Sequence, residues 1–138
     1  MRREDIREQT MQLIFQMDVA KDFDYNKLSV LEENSKILTK KQAITTLEAV
    51  RDHIEDIDAT ISSNIDNWNF DRIAKVDLAV LRTAVAEILY VDDIPLSVSI
   101  NEAVNLSKKF GDDKSYAFVN SVLSKISKNN ANNANNAK

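Results

Sequence analysis

Apolar residues recur three and four positions apart along almost the whole chain, the spacing of one face of an α-helix. Ile6, Thr10, Leu13 and Met17 predict a first helix over about residues 3–19. A turn at residues 22–25 precedes an expected helix over 26–38. Thr39, with Gln42 three positions on, resembles a capping box opening the next helix. Leu47, Val50, Ile54, Ile57, Ile61, Ile65 and Trp68 carry that helix to about residue 68 and form the clearest stripe in the chain. A short turn of helix around 70–74 follows. VDLAVLRTAVAEILY, with Asp77 expected as its cap, is apolar on nearly every side, the pattern of a helix at the centre of a bundle. Pro95 marks the next break. Ser99 and Glu102 suggest a capping box for a helix ending at Gly111, and a last helix runs over about 114–127.

This reading gives an all-α bundle in one domain over residues 1–128. KNNANNANNAK closes the sequence. That tract is too polar to bury a core, so a disordered Asn-rich tail is expected over 129–138.

Composition sharpens the picture. One glycine and one proline in 138 residues leave little material for hairpins or a phosphate-binding loop. The absence of cysteine excludes disulfides and thiol chemistry and makes the cytoplasm the default location. The N-terminus shows no apolar stretch of a signal peptide, and no run is long enough to span a membrane. His53 is the only histidine, so a transition-metal site is not expected, and on its helix it reads as a surface residue. Glu55, Asp56 and Asp58 read as a solvated acidic face. Neither a catalytic constellation nor a cofactor motif emerges, and no enzymatic activity is expected.

Two aromatics depart from their stripes. On a helical wheel Phe15 falls about 180° from Ile6, with Met11 beside it. Phe118 falls about 100° from Val119. Such side chains are either covered by another helix or offered to a partner. Lys114 lies one turn before Phe118, and a cation beside an aromatic suits single-stranded nucleic acid. The net charge of −4 argues against a general nucleic-acid binder. Residues 108–128, however, hold five lysines against Asp112 and Asp113.

Several stretches resemble the NusB family of bacterial antitermination factors. They are RREDIREQTMQLIFQMD, Trp68-x₃-Arg72, Asp77-x₃-Leu81-Arg82 and IPLSVSINEAVNLSKKFGDDKSYAFVNSVL. The resemblance covers about residues 2–126. It implies an all-helical protein of two helical subdomains that binds the boxA RNA element of ribosomal RNA leaders. It also implies binding to NusE, a small-subunit ribosomal protein, and joining RNA polymerase with other Nus factors, without catalysis or cofactor. By position it implies that Arg2, Arg3, Arg7, Lys114 and Phe118 face RNA, and that Phe15 and Asp77 face NusE. Two departures stand out. Glu4, Asp5 and Glu8 offset the N-terminal arginines, and Ser121 stands where the family commonly has glycine. Arg82 and Glu102, in apolar settings, are expected as a buried structural pair. Two other readings remain open: a helical interaction module that never touches RNA, and the NusB-like domain of an RNA cytosine methyltransferase, whose catalytic part would be absent.

Overall fold

The computed structural model describes residues 1–27, 34, 36–66 and 69–136, with side chains as far as residue 130. Among these residues the regular elements are all helical: α1 (Arg3–Ala20), α2 (Lys41–Ser62), α3 (Lys75–Tyr90), α4 (Leu96–Phe110) and α5 (Ser115–Asn136), with 3₁₀ turns at Ile37–Thr39 and Phe70–Arg72. The expected helix over 26–38, apart from that first 3₁₀ turn, and the Trp68 end of α2 lie outside the described residues.

Helix α3 is the axis of the molecule and packs against α1, α2, α4 and α5. Its buried run, unbroken from Asp77 to Glu87, explains why its sequence is apolar on nearly every side. Helices α1 and α2 both pack more extensively on α3 than on each other, α4 and α5 pair beside it, and a single hydrophobic core runs through the bundle. Leu13, Ile14, Leu47, Ile57, Ile61, Leu81, Leu123 and Ile126 are fully buried within it. Truncating one such side chain to alanine costs about 2–5 kcal/mol.

Helix starts differ from the expected caps. Helix α2 follows Lys40, not Thr39, and the Gln42 amide donates to the Arg3 carbonyl (3.0 Å). Helix α3 follows Ala74, which places Asp77 inside the first turn. Helix α4 follows Pro95, so Ser99 lies within the helix and its hydroxyl donates to Glu87 Oε1 (2.9 Å). For Gln42 and Ser99 a tertiary partner takes the polar side chain that would otherwise have capped its own backbone, while the Thr39 hydroxyl turns back onto the Lys36 carbonyl (2.7 Å).

Helix α2 ends at Ser62, six residues short of Trp68. The Ser63 hydroxyl and the Asn64 amide turn back onto the carbonyls of Ala59 and Thr60 (2.7 and 2.8 Å). Within α2 the backbone leaves helical geometry at His53 (φ −129°, ψ 23°). The His53 ring stacks on Tyr90 with centroids 3.9 Å apart and an interplanar angle of 6°. This half-buried histidine is therefore not the free surface residue its neighbours Asp52 and Glu55 suggested. The helical backbone of α5 passes Ser127 and reaches Asn136, with the Asn129 amide donating to Asn64 Oδ1 (2.7 Å).

Candidate nucleic-acid interface

Two buried ionic clusters hold the elements that carry the candidate residues. In the first, Glu87 of α3 binds the Arg7 guanidinium at two points, Nε to Oε2 at 2.7 Å and Nη2 to Oε1 at 3.1 Å. Arg7 is 7% exposed and Glu87 3%. In the second, Arg82 of α3 forks onto Asp58 of α2 (2.8 Å at both contacts) and reaches Asp18 of α1 at 3.2 Å, with Lys75 a further 3.4 Å from Asp18. Arg82 also lies over the Phe23 ring at 4.9 Å. Glu102 takes no part, so the expected Arg82–Glu102 pair is replaced by contacts from α1 and α2. Burial pushes the Asp18 carboxyl upward, but Arg82 and Lys75 together outweigh it and hold the pKa below the ordinary carboxylate value.

The end of α4 and the start of α5 are built around one close approach. A Cβ on Gly111 would lie 2.3 Å from the Ser115 hydroxyl and 2.5 Å from its Cβ. Gly111 has φ −92°, so it is needed for space and not for the left-handed turn expected of a helix-ending glycine. The room it leaves lets Ser115 Oγ accept the Asp112 N–H (3.0 Å) and donate to Asp112 Oδ1 (3.2 Å). The same oxygen of Asp112 accepts the Lys114 N–H at 2.9 Å. That backbone bond is the chief reason the Asp112 carboxyl titrates below its usual value. Lys114 is thereby held at the mouth of a cleft.

This cleft, about 220 Å³, is lined by Arg72, Ala74, Asp77, Asp112, Lys114 and Phe118, with Ile73 and Ser115 completing the wall. Phe118 is half-buried and packs against the core edge. Asp77 is 7% exposed, and its Oδ1 is buried without a hydrogen-bond partner. A second groove of about 440 Å³ lies alongside, lined by Met11, Gln12, Phe15, Gln16, Val76 and Phe110. The first turn of α3 divides the two: Val76 lines one groove and Asp77 the other.

The sequence-derived residues are therefore regrouped. Lys114 and Phe118 share a cleft. Phe15 occupies the neighbouring groove, as a half-buried wall and not a free aromatic. Asp77 lies with Lys114 and Phe118 and not with Phe15. Arg7 is not the exposed cation its neighbours suggested, because its guanidinium is buried and held by Glu87. Arg2 is exposed but paired with Glu4 (3.1 Å) and Asp5 (3.3 Å). Arg3 is exposed and lines a separate cavity with Pro95 and Val98 at the start of α4. Lys114 follows the other end of that helix, roughly 20 Å along its axis at 1.5 Å per residue. Arg72 was missed as a candidate. It was visible only as part of a motif, and its neighbours in space come from α5.

No group of three or more His, Cys, Asp or Glu side chains able to hold a metal occurs among the described residues. Among them, no helix is long and apolar enough to cross a membrane.

A family model described as "NusB family" matches residues 4–128. The transcription antitermination protein NusB of Bacillus subtilis is 43% identical over 128 residues, covering 91% of this chain and 95% of the relative. That of Oceanobacillus iheyensis is 42% identical over 131 residues, covering 91% and 98%. Among solved structures, T. maritima NusB superposes with a TM-score of 0.79 at 30% identity, covering 93% of this chain and 92% of that one. A chain in the crystal structure of a plectonemic RNA supercoil gives 0.80 at 28% identity, covering 95% and 98%.

Proposed function

The chain belongs to the NusB family of non-enzymatic transcription antitermination factors, and from that premise we propose that it binds boxA RNA together with NusE within an RNA polymerase antitermination complex that supports transcription of ribosomal RNA genes. The observation that supports the RNA half is the cleft lined by both Lys114 and Phe118, with Arg72 also on its wall. A phosphate meets the cations while a base stacks on the ring. The observation that supports the protein half is the adjacent groove, in which Phe15 and Phe110 form an aromatic wall. Buried aromatic anchors of this kind dominate protein–protein affinity. The related chain in the RNA supercoil structure gives further support for an RNA role.

One set of features favours a rival reading, a protein-interaction module without RNA contact. The N-terminal cations are largely neutralised: Arg2 by Glu4 and Asp5, and Arg7 by Glu87. Nearby, Lys109 is bound by Glu8. Fluorescence anisotropy with a labelled boxA oligoribonucleotide, with and without NusE, separates the two. The expected result is binding that strengthens with NusE. Lys114→Ala should weaken the RNA step alone, and Phe15→Ala should weaken NusE capture by about 2 kcal/mol, the scale of an interface hot spot. RNA affinity indifferent to Lys114 and Phe118 would leave only the protein-interaction reading.

A further inference from the structure

We propose that Glu8 is a built-in competitor for RNA: its ion pair with Lys109 straps the groove between α1 and α4 and holds the RNA affinity of this chain below what its cations alone provide. The inference rests on the RNA reading above and adds to it a residue that sets affinity by opposing binding.

The groove is built from the core outward. Arg7 of α1 and Ser99 of α4 both bond Glu87 of α3, at 2.7 and 2.9 Å, so α1 and α4 flank α3. At one end the two helices line the cavity of about 770 Å³ that holds Arg3, Val98 and Glu102. At the other they line the groove of Met11 and Phe110. Glu8 and Lys109 lie between these ends. The Lys109 Nζ donates to Glu8 Oε1 at 2.6 Å and joins residues 101 positions apart.

Position and asymmetry make this pair an obstacle to RNA. Lys114 follows one end of α4 and Arg3 lies by the other, so a strand that reached both cations would run past Lys109. The Lys109 side chain is 59% exposed, and that of Glu8 only 26%. The lysine has a flexible stem and swings readily to a phosphate. The half-buried carboxylate then stays behind without its cation, which is unfavourable. It also repels the phosphates that drew the lysine away. The same opposition recurs where Glu4 and Asp5 hold Arg2 at 3.1 and 3.3 Å, in a setting too exposed to count for much.

The salt dependence follows from the same exchange. A free cation that meets a phosphate releases a counterion. A cation taken from an internal carboxylate releases none on balance, because the freed carboxylate takes one up. Lys109 therefore adds to the salt slope only when Glu8 is neutral.

The test is fluorescence anisotropy of the full chain with labelled boxA RNA over a salt series, with NusE present. Glu8→Gln keeps the shape and removes the charge. It should tighten binding about two- to fivefold, the range of one surface ion pair, and steepen the salt slope by about 0.7, the value for one contact to a single strand. Adding Lys109→Ala to Glu8→Gln should abolish both effects. Glu55→Gln removes an exposed acid of α2 and makes the same change in net charge, and it should leave affinity and slope as in the wild type. The exchanged pair, Glu8→Lys with Lys109→Glu, rebuilds the bridge and keeps the test open if Glu8→Gln melts early. Its affinity and slope should match the wild type, and a gain there would overturn the proposal. If Glu8→Gln binds no better than Glu55→Gln, or if its gain survives Lys109→Ala, the strap is refuted and the RNA reading stands. If neither the wild type nor any variant binds RNA while Phe15→Ala still weakens NusE capture, the RNA reading itself fails and the strap with it.

Discussion

Replacing Glu87 with leucine should destabilise the protein far more than replacing Glu87 and Arg7 together. The Arg7 guanidinium is 7% exposed, and Glu87 supplies its two closest acceptor contacts, at 2.7 and 3.1 Å. Glu87→Leu leaves a buried cation without an anion, which costs about 3–5 kcal/mol. It also strands the Ser99 hydroxyl, which donates to Glu87 at 2.9 Å, for about 1 kcal/mol or more. In a domain of this size 1 kcal/mol moves the melting temperature by roughly 3–5 °C, so the single variant should melt ~12–30 °C lower. The double variant Arg7→Met, Glu87→Leu removes both charges and keeps apolar volume, and replacements of this kind are often neutral or stabilising. Urea denaturation of the wild type, both single variants and the double variant closes the cycle. A coupling energy near zero would refute the pairing. So would an Arg7→Met variant of wild-type stability that has lost RNA affinity, since Arg7 would then be the surface contact that its position in the family pattern suggests.

Two further outcomes follow from the same structure. Asp18 has a folded-state pKa held below its unfolded value by Arg82 and Lys75 despite burial, so its contribution is fully present above the ordinary carboxylate pKa and is lost as pH falls through the folded value. The melting deficit of Asp18→Asn should therefore be constant from pH 7 to about 5 and shrink below about 4, and a deficit that grows on acidification would contradict it. Gly111→Ala places a methyl 2.3 Å from Ser115 Oγ, so it should cost about 1–3 kcal/mol and disturb the Asp112 turn that holds Lys114. The check is a lowered melting temperature together with weaker RNA binding, and unchanged values would show that the turn has slack.

Helix existence was legible in the residue order because it rests on local periodicity. Ile54, Ile57 and Ile61 share a face whatever surrounds them, and a segment apolar on nearly every side, such as that from Leu78 to Val85, must lie inside. The polar residues misled for the opposite reason. Ser99 and Gln42 have the right spacing to cap their own helices, yet Glu87 and the Arg3 carbonyl take them instead. A cap and a tertiary hydrogen bond have similar energies, and which one forms depends on groups many residues away. The candidate site divides in the same way. Phe15 and Phe118 stood out by sequence because a large ring off its stripe is a local anomaly. Arg7 looked like its neighbours Arg2 and Arg3, and only the fold, by bringing Glu87 from 80 residues along the chain, turned it from a surface cation into part of the core. Arg72 and Asp77 joined Lys114 and Phe118 through the packing of α3 against α5, a pairing that no local spacing encodes. The sequence by itself determined where helices run and which side chains are apolar, because backbone geometry projects each residue onto a face. Tertiary structure alone decided which charges are paired and which line a cleft, because those energies depend on distance and burial between segments far apart in the chain.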